Sequence, residues 1–235
     1  MGTEHLKLLR LLQLADSAVP IGAAAHSFGL ETLVEDGSLV VDNLPQFLTD
    51  YLSESGTQEA AFCRAAHRLA SPAESEGGDF HLASWLELNR RLSARKPARA
   101  SRGASATLGR RLLQLARELE ECRLLSDVSG ASRSVGCEIH HCTAFGLVGG
   151  VLGLDEAATI EAYLHQTLAG LVSACQRLMP LGQTRAQQIL WALKSSIIAA
   201  VISDAEADDE VHCFTPLLDL GSMRHTTLTT RLFIS

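Results

Sequence analysis

The densest group of metal-ligand side chains in the sequence is His140, His141 and Cys142. Imidazole nitrogens and thiolates are ligands that soft transition metals accept. Adjacent residues of a helix point about 100° apart, so one helix cannot present all three side chains to one ion. His140 would therefore need a further ligand from elsewhere in the chain or from a second copy. The sequence leaves open a weak, transient metal contact at His140 and disfavours a tight site.

The sequence contains no clear motif for nucleophilic catalysis or for nucleotide binding. No Gly-x-Ser-x-Gly elbow is present, and Gly146, Gly149, Gly150 and Gly153 do not have the spacing of a nucleotide-binding loop. Their spacing instead predicts a smooth helix face that the backbone of another helix approaches closely. That helix could belong to the protein's own core or to the second copy in a dimer, and core packing is the favoured interpretation. We predict that the protein is not an enzyme and binds no cofactor tightly.

Composition and charge limit the possible partners. The 235 residues are 46% hydrophobic but only 5% aromatic, which suits helix-on-helix packing better than a sheet. The formal net charge of −7 disfavours nucleic acid as a partner. No apolar run approaches the roughly 20 residues that span a bilayer, so no membrane association is expected. Six scattered cysteines without CxxC spacing predict a reducing, cytoplasmic compartment.

Apolar residues recur every three or four positions along most of the chain, whereas alternating strand patterns do not occur. The sequence therefore predicts an all-α fold, a single-domain bundle of about ten helices. The expected helices lie near residues 6–14, 26–36, 44–52, 57–70, 80–95, 98–122, 134–153, 155–178, 184–203 and 217–224.

Two of the clearest helical patterns meet at the corner Pro180-Leu181-Gly182-Gln183-Thr184. Pro180 cannot continue a helix, and Thr184 with Gln187 fits a capping box for the second helix. The amide of Gln183 could hold the backbone of a partner or only its own turn. The expected core faces comprise Ile160, Leu164, Leu168, Leu171, Cys175 and Leu178 before the corner, and Ala186, Ile189, Leu190, Leu193, Ile197 and Val201 after it.

The end of the chain is unusually apolar, with Leu232, Phe233 and Ile234 close together. Chain ends fray unless they are tied down, so these side chains need a groove in the protein itself or in a partner, and both alternatives stay open. The sequence is accordingly divided into a helical domain, residues 1–223, and a C-terminal partner-binding tail, residues 224–235.

Several motifs, taken in order, resemble those of the urease accessory protein UreF family. They are residues 11–22 (LLQLADSAVPIG), Ser27-Phe28-Gly29-Leu30-Glu31, Pro180-Leu181-Gly182-Gln183-Thr184, Arg224-His225 and Arg231-Leu232-Phe233-x-Ser235. The resemblance covers nearly the whole chain from Leu11. Four positions depart from it, because His26, Ala100, Thr226 and Ile234 replace an expected aromatic residue, an acidic residue, a glutamate and an arginine.

The resemblance implies an all-helical, non-catalytic scaffold that forms a homodimer. In that family the protein docks on UreD (also called UreH) through its C-terminal segment and recruits the GTPase UreG, and the assembly delivers nickel to apo-urease. By this resemblance the UreD contact would be anchored by Arg224, His225, Arg231, Leu232 and Phe233. A polar inner path or the surface facing the GTPase would be lined by Ser27, Glu31 and Gln183. The alternative function is a helical protein that stores or senses nickel, centred on His140.

Overall fold

The computed structural model describes residues 2–70, 80–202 and 213–235, and in these residues it contains twelve α-helices and no β-strand. The predicted all-α, single-domain fold is confirmed. The helices are α1 (Gly2–Leu14), α2 (Leu30–Glu35), α3 (Leu44–Tyr51), α4 (Thr57–Ala70), α5 (Leu82–Ala94), α6 (Arg99–Leu119), α7 (Arg123–Ser134), α8 (His141–Val151), α9 (Glu156–Leu178), α10 (Gln183–Ala192), α11 (Lys194–Ile202) and α12 (Pro216–Arg224). A π-helical segment, Leu52–Gly56, joins α3 to α4. Across the described ranges, no helix is both long and apolar enough to cross a membrane.

Helix α8 forms the centre of the bundle, with ten of its eleven residues buried. Its glycines allow α4 to come very close. A Cβ atom on Gly146 would overlap the main-chain carbonyl of Cys63, and one on Gly150 would overlap that of His67. The predicted smooth helix face is therefore a core contact rather than a dimer contact. Gly153 lies beyond the end of α8 and has a positive φ of 63°.

The predicted core faces on either side of the Pro180 corner are buried, except that Leu178 is half-buried. The predicted capping box is wrong. Helix α10 begins at Gln183, and Gly182 precedes it without a side-chain cap. Because the helix starts earlier than expected, Thr184 already lies inside its first turn and cannot serve as the cap.

The predicted helix over 134–153 begins too early, because α8 starts only at His141, and α7 occupies residues 123–134, most of which were not predicted to be helical. Helix α7 ends at Ser134, and Gly136 follows with a φ of 64°. The N–H of Cys137 donates to the carbonyl of Ser132, and that of Gly136 donates to the carbonyl of Arg133. This is a Schellman motif, which ends a helix at a glycine in the left-handed region. The expected helix over 184–203 likewise divides at Leu193 into α10 and α11.

The close contact between α4 and α8 predicts how a substitution at Gly146 changes the free energy of unfolding. Changing Gly146 to Ala should lower the free energy of unfolding by about 1–3 kcal/mol, because the added methyl group would overlap backbone rather than a flexible side chain. Chemical denaturation followed by circular dichroism measures the change. Gly130→Ala is the matched control: its site in α7 has open space, so it should stabilise the helix by about 1 kcal/mol. Equal effects of the two substitutions would contradict this packing.

Candidate functional site

The C-terminal tail, residues 224–235, lies against the protein's own body. Side chains at its end alternate in exposure: Phe233 and Ser235 are each 5% exposed, whereas Leu232 is 58% and Ile234 74% exposed. Such alternation is typical of extended chain, in which successive side chains point to opposite sides. One side of the tail is therefore held by the protein, and the other side presents two apolar side chains to the outside.

The last two residues of the tail are held by the segment before α2. The main-chain oxygen of Ser235 accepts hydrogen bonds from the backbone N–H of Ser27 (2.5 Å) and from its hydroxyl (3.0 Å). The N–H of Ile234 donates to the carbonyl of Ala25 at 2.9 Å. The Nδ1 atom of His26 lies 2.8 Å from the hydroxyl of Ser235. His26, one of the departures from the family pattern, thus contacts the tail directly.

Glu31 of α2 holds the next part of the tail. Its side chain is buried, and its two carboxylate oxygens accept three hydrogen bonds. Oε1 accepts from the N–H of Leu232 at 2.5 Å, and Oε2 accepts from Nε2 of His225 at 2.7 Å and from the N–H of Phe233 at 3.3 Å. A buried carboxylate needs such donors, because burial without them is very costly. All three donors belong to the tail.

A tight turn places Ser27 and Glu31 beside the tail. Phe28 has a φ of 53° and Gly29 a φ of 92°. Phe28 is the one non-glycine residue with positive φ among the described residues. Such backbone is unusual away from glycine and is tolerated where the surrounding structure fixes it. Gly29 also allows α12 to approach, because a Cβ atom there would lie 2.8 Å from the carbonyl oxygen of Leu218.

Arg177, near the end of α9, joins the tail to the same segment. The centre of its guanidinium lies 4.2 Å from the centroid of the Phe233 ring, and Nη1 donates to the carbonyl of Ala24 at 2.7 Å. A guanidinium over an aromatic face is attracted by the ring. Arg177 is not among the residues predicted from the sequence to bind a partner, and no motif around it indicates this contact.

The remaining predicted partner-binding residues lie outside this network. Arg224 is exposed and forms an ion pair with Asp36 at 3.4 Å. Arg231 and Gln183 are exposed as well, the latter at the first position of α10. The structure thus brings Ser27, Glu31, His225, Leu232 and Phe233 together and leaves the other three on the surface. Partner binding by all eight residues stays a prediction.

His140, the predicted metal ligand, is fully buried just before α8 rather than on it. Its Nε2 lies 2.8 Å from the hydroxyl of Ser93, and its Nδ1 lies 3.2 Å from that of Ser105. Burial, helped by the nearby charge of Lys96, lowers its pKa to about 3, so the ring is neutral. Within the described ranges, no group of three or more His, Cys, Asp or Glu side chains could hold a metal ion. A metal contact of His140 stays a prediction.

A partly open pocket of about 130 Å³ is lined by Glu59 and Lys96, which form an ion pair. Lys96 Nζ lies 2.7 Å from Glu59 Oε1, and the hydroxyl of Tyr163 donates to Glu59 Oε2 at 2.8 Å. Burial opposes the charge of Glu59, but Lys96 and the hydrogen bond from Tyr163 outweigh it and lower the pKa of that carboxyl. Burial lowers the pKa of the neighbouring His141 to about 4. The pair is ionised and the imidazole is neutral, an arrangement that fits a structural role.

The lowered pKa values of two buried histidines, His140 and His141, predict how stability depends on pH. Both pKa values lie below the ordinary 6.5, so the unfolded chain binds more protons between pH 6.5 and these values. The free energy of unfolding should therefore fall as the pH is lowered through this window, by about 2 kcal/mol per histidine between pH 7 and 5. Denaturation at a series of pH values measures this. His141→Gln should flatten the profile, whereas His5→Gln, at an exposed position of α1, should not. Identical profiles would contradict the assignment.

Comparison with known proteins gives a consistent result. The family model for UreF matches residues 41–194. The chain is similar to a protein named urease accessory protein UreF from Nostoc sp., with 35% identity over 99% of this chain and 97% of that protein. It is also similar to proteins of the same name from Actinobacillus pleuropneumoniae (34% identity, 96% of this chain and 97% of that protein) and Bradyrhizobium sp. (32%, 99% and 93%).

Proposed function

The chain belongs to the urease accessory protein UreF family, and we propose that it is the non-catalytic scaffold of the UreD–UreF–UreG assembly that builds the nickel centre of urease. The observation that carries the proposal is the docked tail, which holds Leu232 and Ile234 outward in a fixed arrangement. Large apolar side chains that a protein orders and exposes together are typical of a contact surface for another protein.

In this proposal UreD covers the outer side of the tail and recruits further contacts from α12. Besides Leu232 and Ile234, the C-terminal region exposes Leu217, Leu220 and Met223. An ordered segment loses less conformational entropy on binding than a disordered one, which favours affinity. Ser27, Glu31, His225 and Phe233 would then support the contact from beneath, with their polar groups already bonded within the protein.

The same proposed role includes two further partners, UreG and apo-urease. UreG would supply GTP hydrolysis, so this chain would position the GTPase and regulate it rather than react, and apo-urease would receive the nickel. Exposed leucines on α1 (Leu8, Leu9 and Leu12) and Trp191 on α10 offer apolar surface for a homodimer or for these partners. We place the assembly in the cytoplasm, with nickel as a cargo that this chain contacts at most transiently.

The UreD contact is tested by the double substitution Leu232→Ser with Ile234→Ser. Both side chains are exposed, so the fold should be retained while the affinity for the cognate UreD falls at least about tenfold, since two apolar side chains no longer become buried. Co-purification and biolayer interferometry measure the loss. Leu119→Ser is the matched control, because Leu119 is 55% exposed at the end of α6. Binding of the double variant at the level of this control would refute the proposed role of the tail.

The alternative function, nickel storage or sensing at His140, is separated from the scaffold by calorimetry with Ni²⁺ on the intact protein. Serine hydroxyls already occupy the neighbourhood of both ring nitrogens, and a metal site needs free ligand atoms. We therefore expect weak or no binding, and no difference between the wild type and His140→Ala. Sub-micromolar binding that His140→Ala abolishes would establish the alternative.

A further inference from the structure

We infer that Glu31 is a positioning residue for the partner contact: its carboxylate holds the tail in the conformation that turns Leu232 and Ile234 outward, without touching the partner itself. The inference rests on the proposed function, because it takes UreD as the partner of the tail. It differs from the expectation that Glu31 lines an inner path or faces the GTPase.

Burial separates Glu31 from any partner. Its side chain is only 7% exposed, and that of His225 is 1% exposed. Both carboxylate oxygens are already used by donors of the tail. A protein that docks on the outer side would meet Leu232 and Ile234 and not the carboxylate beneath them. Any effect of Glu31 on binding must then pass through the position of the tail.

The geometry of the donors explains how one carboxylate fixes the tail. The N–H groups of Leu232 and Phe233 are consecutive, and both point to Glu31. In a regular strand successive N–H groups point in opposite directions, so this pair requires a local bend around the anion. Consecutive amides that converge in this way form an anion-binding concavity. Glutamine would present an NH₂ group in place of one acceptor oxygen and could not satisfy the same donors.

Other contacts keep the tail near the body when Glu31 is changed. Phe233 still packs under Arg177, and Ser235 still bonds to Ser27. Glu31→Gln should therefore loosen residues 232–233 without releasing the whole tail. If the binding-competent conformation becomes about one tenth as populated, the apparent affinity falls about tenfold.

Hydrogen exchange of the free protein tests the inference without UreD. In Glu31→Gln the amides of Leu232 and Phe233 should exchange at least about tenfold faster by NMR, since the charge-assisted hydrogen bonds that protect them are lost. Glu35→Gln is the matched control, because Glu35 is exposed on the same helix and the charge change is identical. Equal exchange in the two variants would overturn the inference.

If Glu31→Gln does not fold, His225→Leu provides a second variant that keeps the carboxylate and removes one of its donors, because a leucine side chain has no N–H group. It should accelerate exchange at Leu232 and Phe233 by a smaller factor than full loss of the carboxylate. Unchanged exchange at both amides in His225→Leu would also count against the network.

Binding to the cognate UreD distinguishes positioning from direct contact. Glu31→Gln should lower the affinity about tenfold, mainly through slower association, and Glu35→Gln should leave it unchanged. In the Leu232→Ser, Ile234→Ser background, Glu31→Gln should cause no further loss, because the side chains that it positions are absent. An additive loss would show that Glu31 acts elsewhere. Failure of the wild type to bind UreD would refute the proposed function, and the exchange experiment would still decide the role of Glu31.

Discussion

Helices α4 and α8 approach each other so closely that side chains at Gly146 and Gly150 would collide with main-chain carbonyls of α4. This constraint determines how the bundle is built. A third glycine, Gly109 of α6, lies against the carbonyls of Ile139 and His140, just before α8. Helix α9 packs against α8 and α4, and near its end it carries Arg177, which contacts Phe233 of the tail.

Buried polar groups are satisfied in two different ways. The interior groups bond to other parts of the helical body, as Glu59 does with Lys96 and His140 does with Ser93. Glu31 is different, because its three donors all come from the last part of the chain. The cost of burying its carboxylate therefore couples α2 to the conformation of the tail. The exposed apolar side of the tail, which we propose as a partner surface, is thus supported by a buried carboxylate.

In the proposed scaffold role, the side chains that would contact a partner, Leu232 and Ile234, lie on the outside of the helical body. One side of the tail packs against the protein, and the other side exposes Leu232 and Ile234. Because these two side chains are exposed, they contribute little to the stability of the fold. Substitutions at Leu232 and Ile234 should consequently separate binding from folding, whereas substitutions at Phe233 or Glu31 affect the support as well.

The sequence by itself determined the helical class, the core faces of α9 to α11 and the close-packed glycines of α8, because helical periodicity and glycine spacing are local properties. It also contained Gly136, whose helix-ending role could have been predicted from its type and was missed. Only the tertiary structure decided where the tail lies, that His140 is enclosed by serines and that Arg177 covers Phe233. Glu31 and His225 are 194 residues apart in sequence, and no local pattern can pair a carboxylate with a donor at such a distance, since their meeting depends on how all the intervening helices pack.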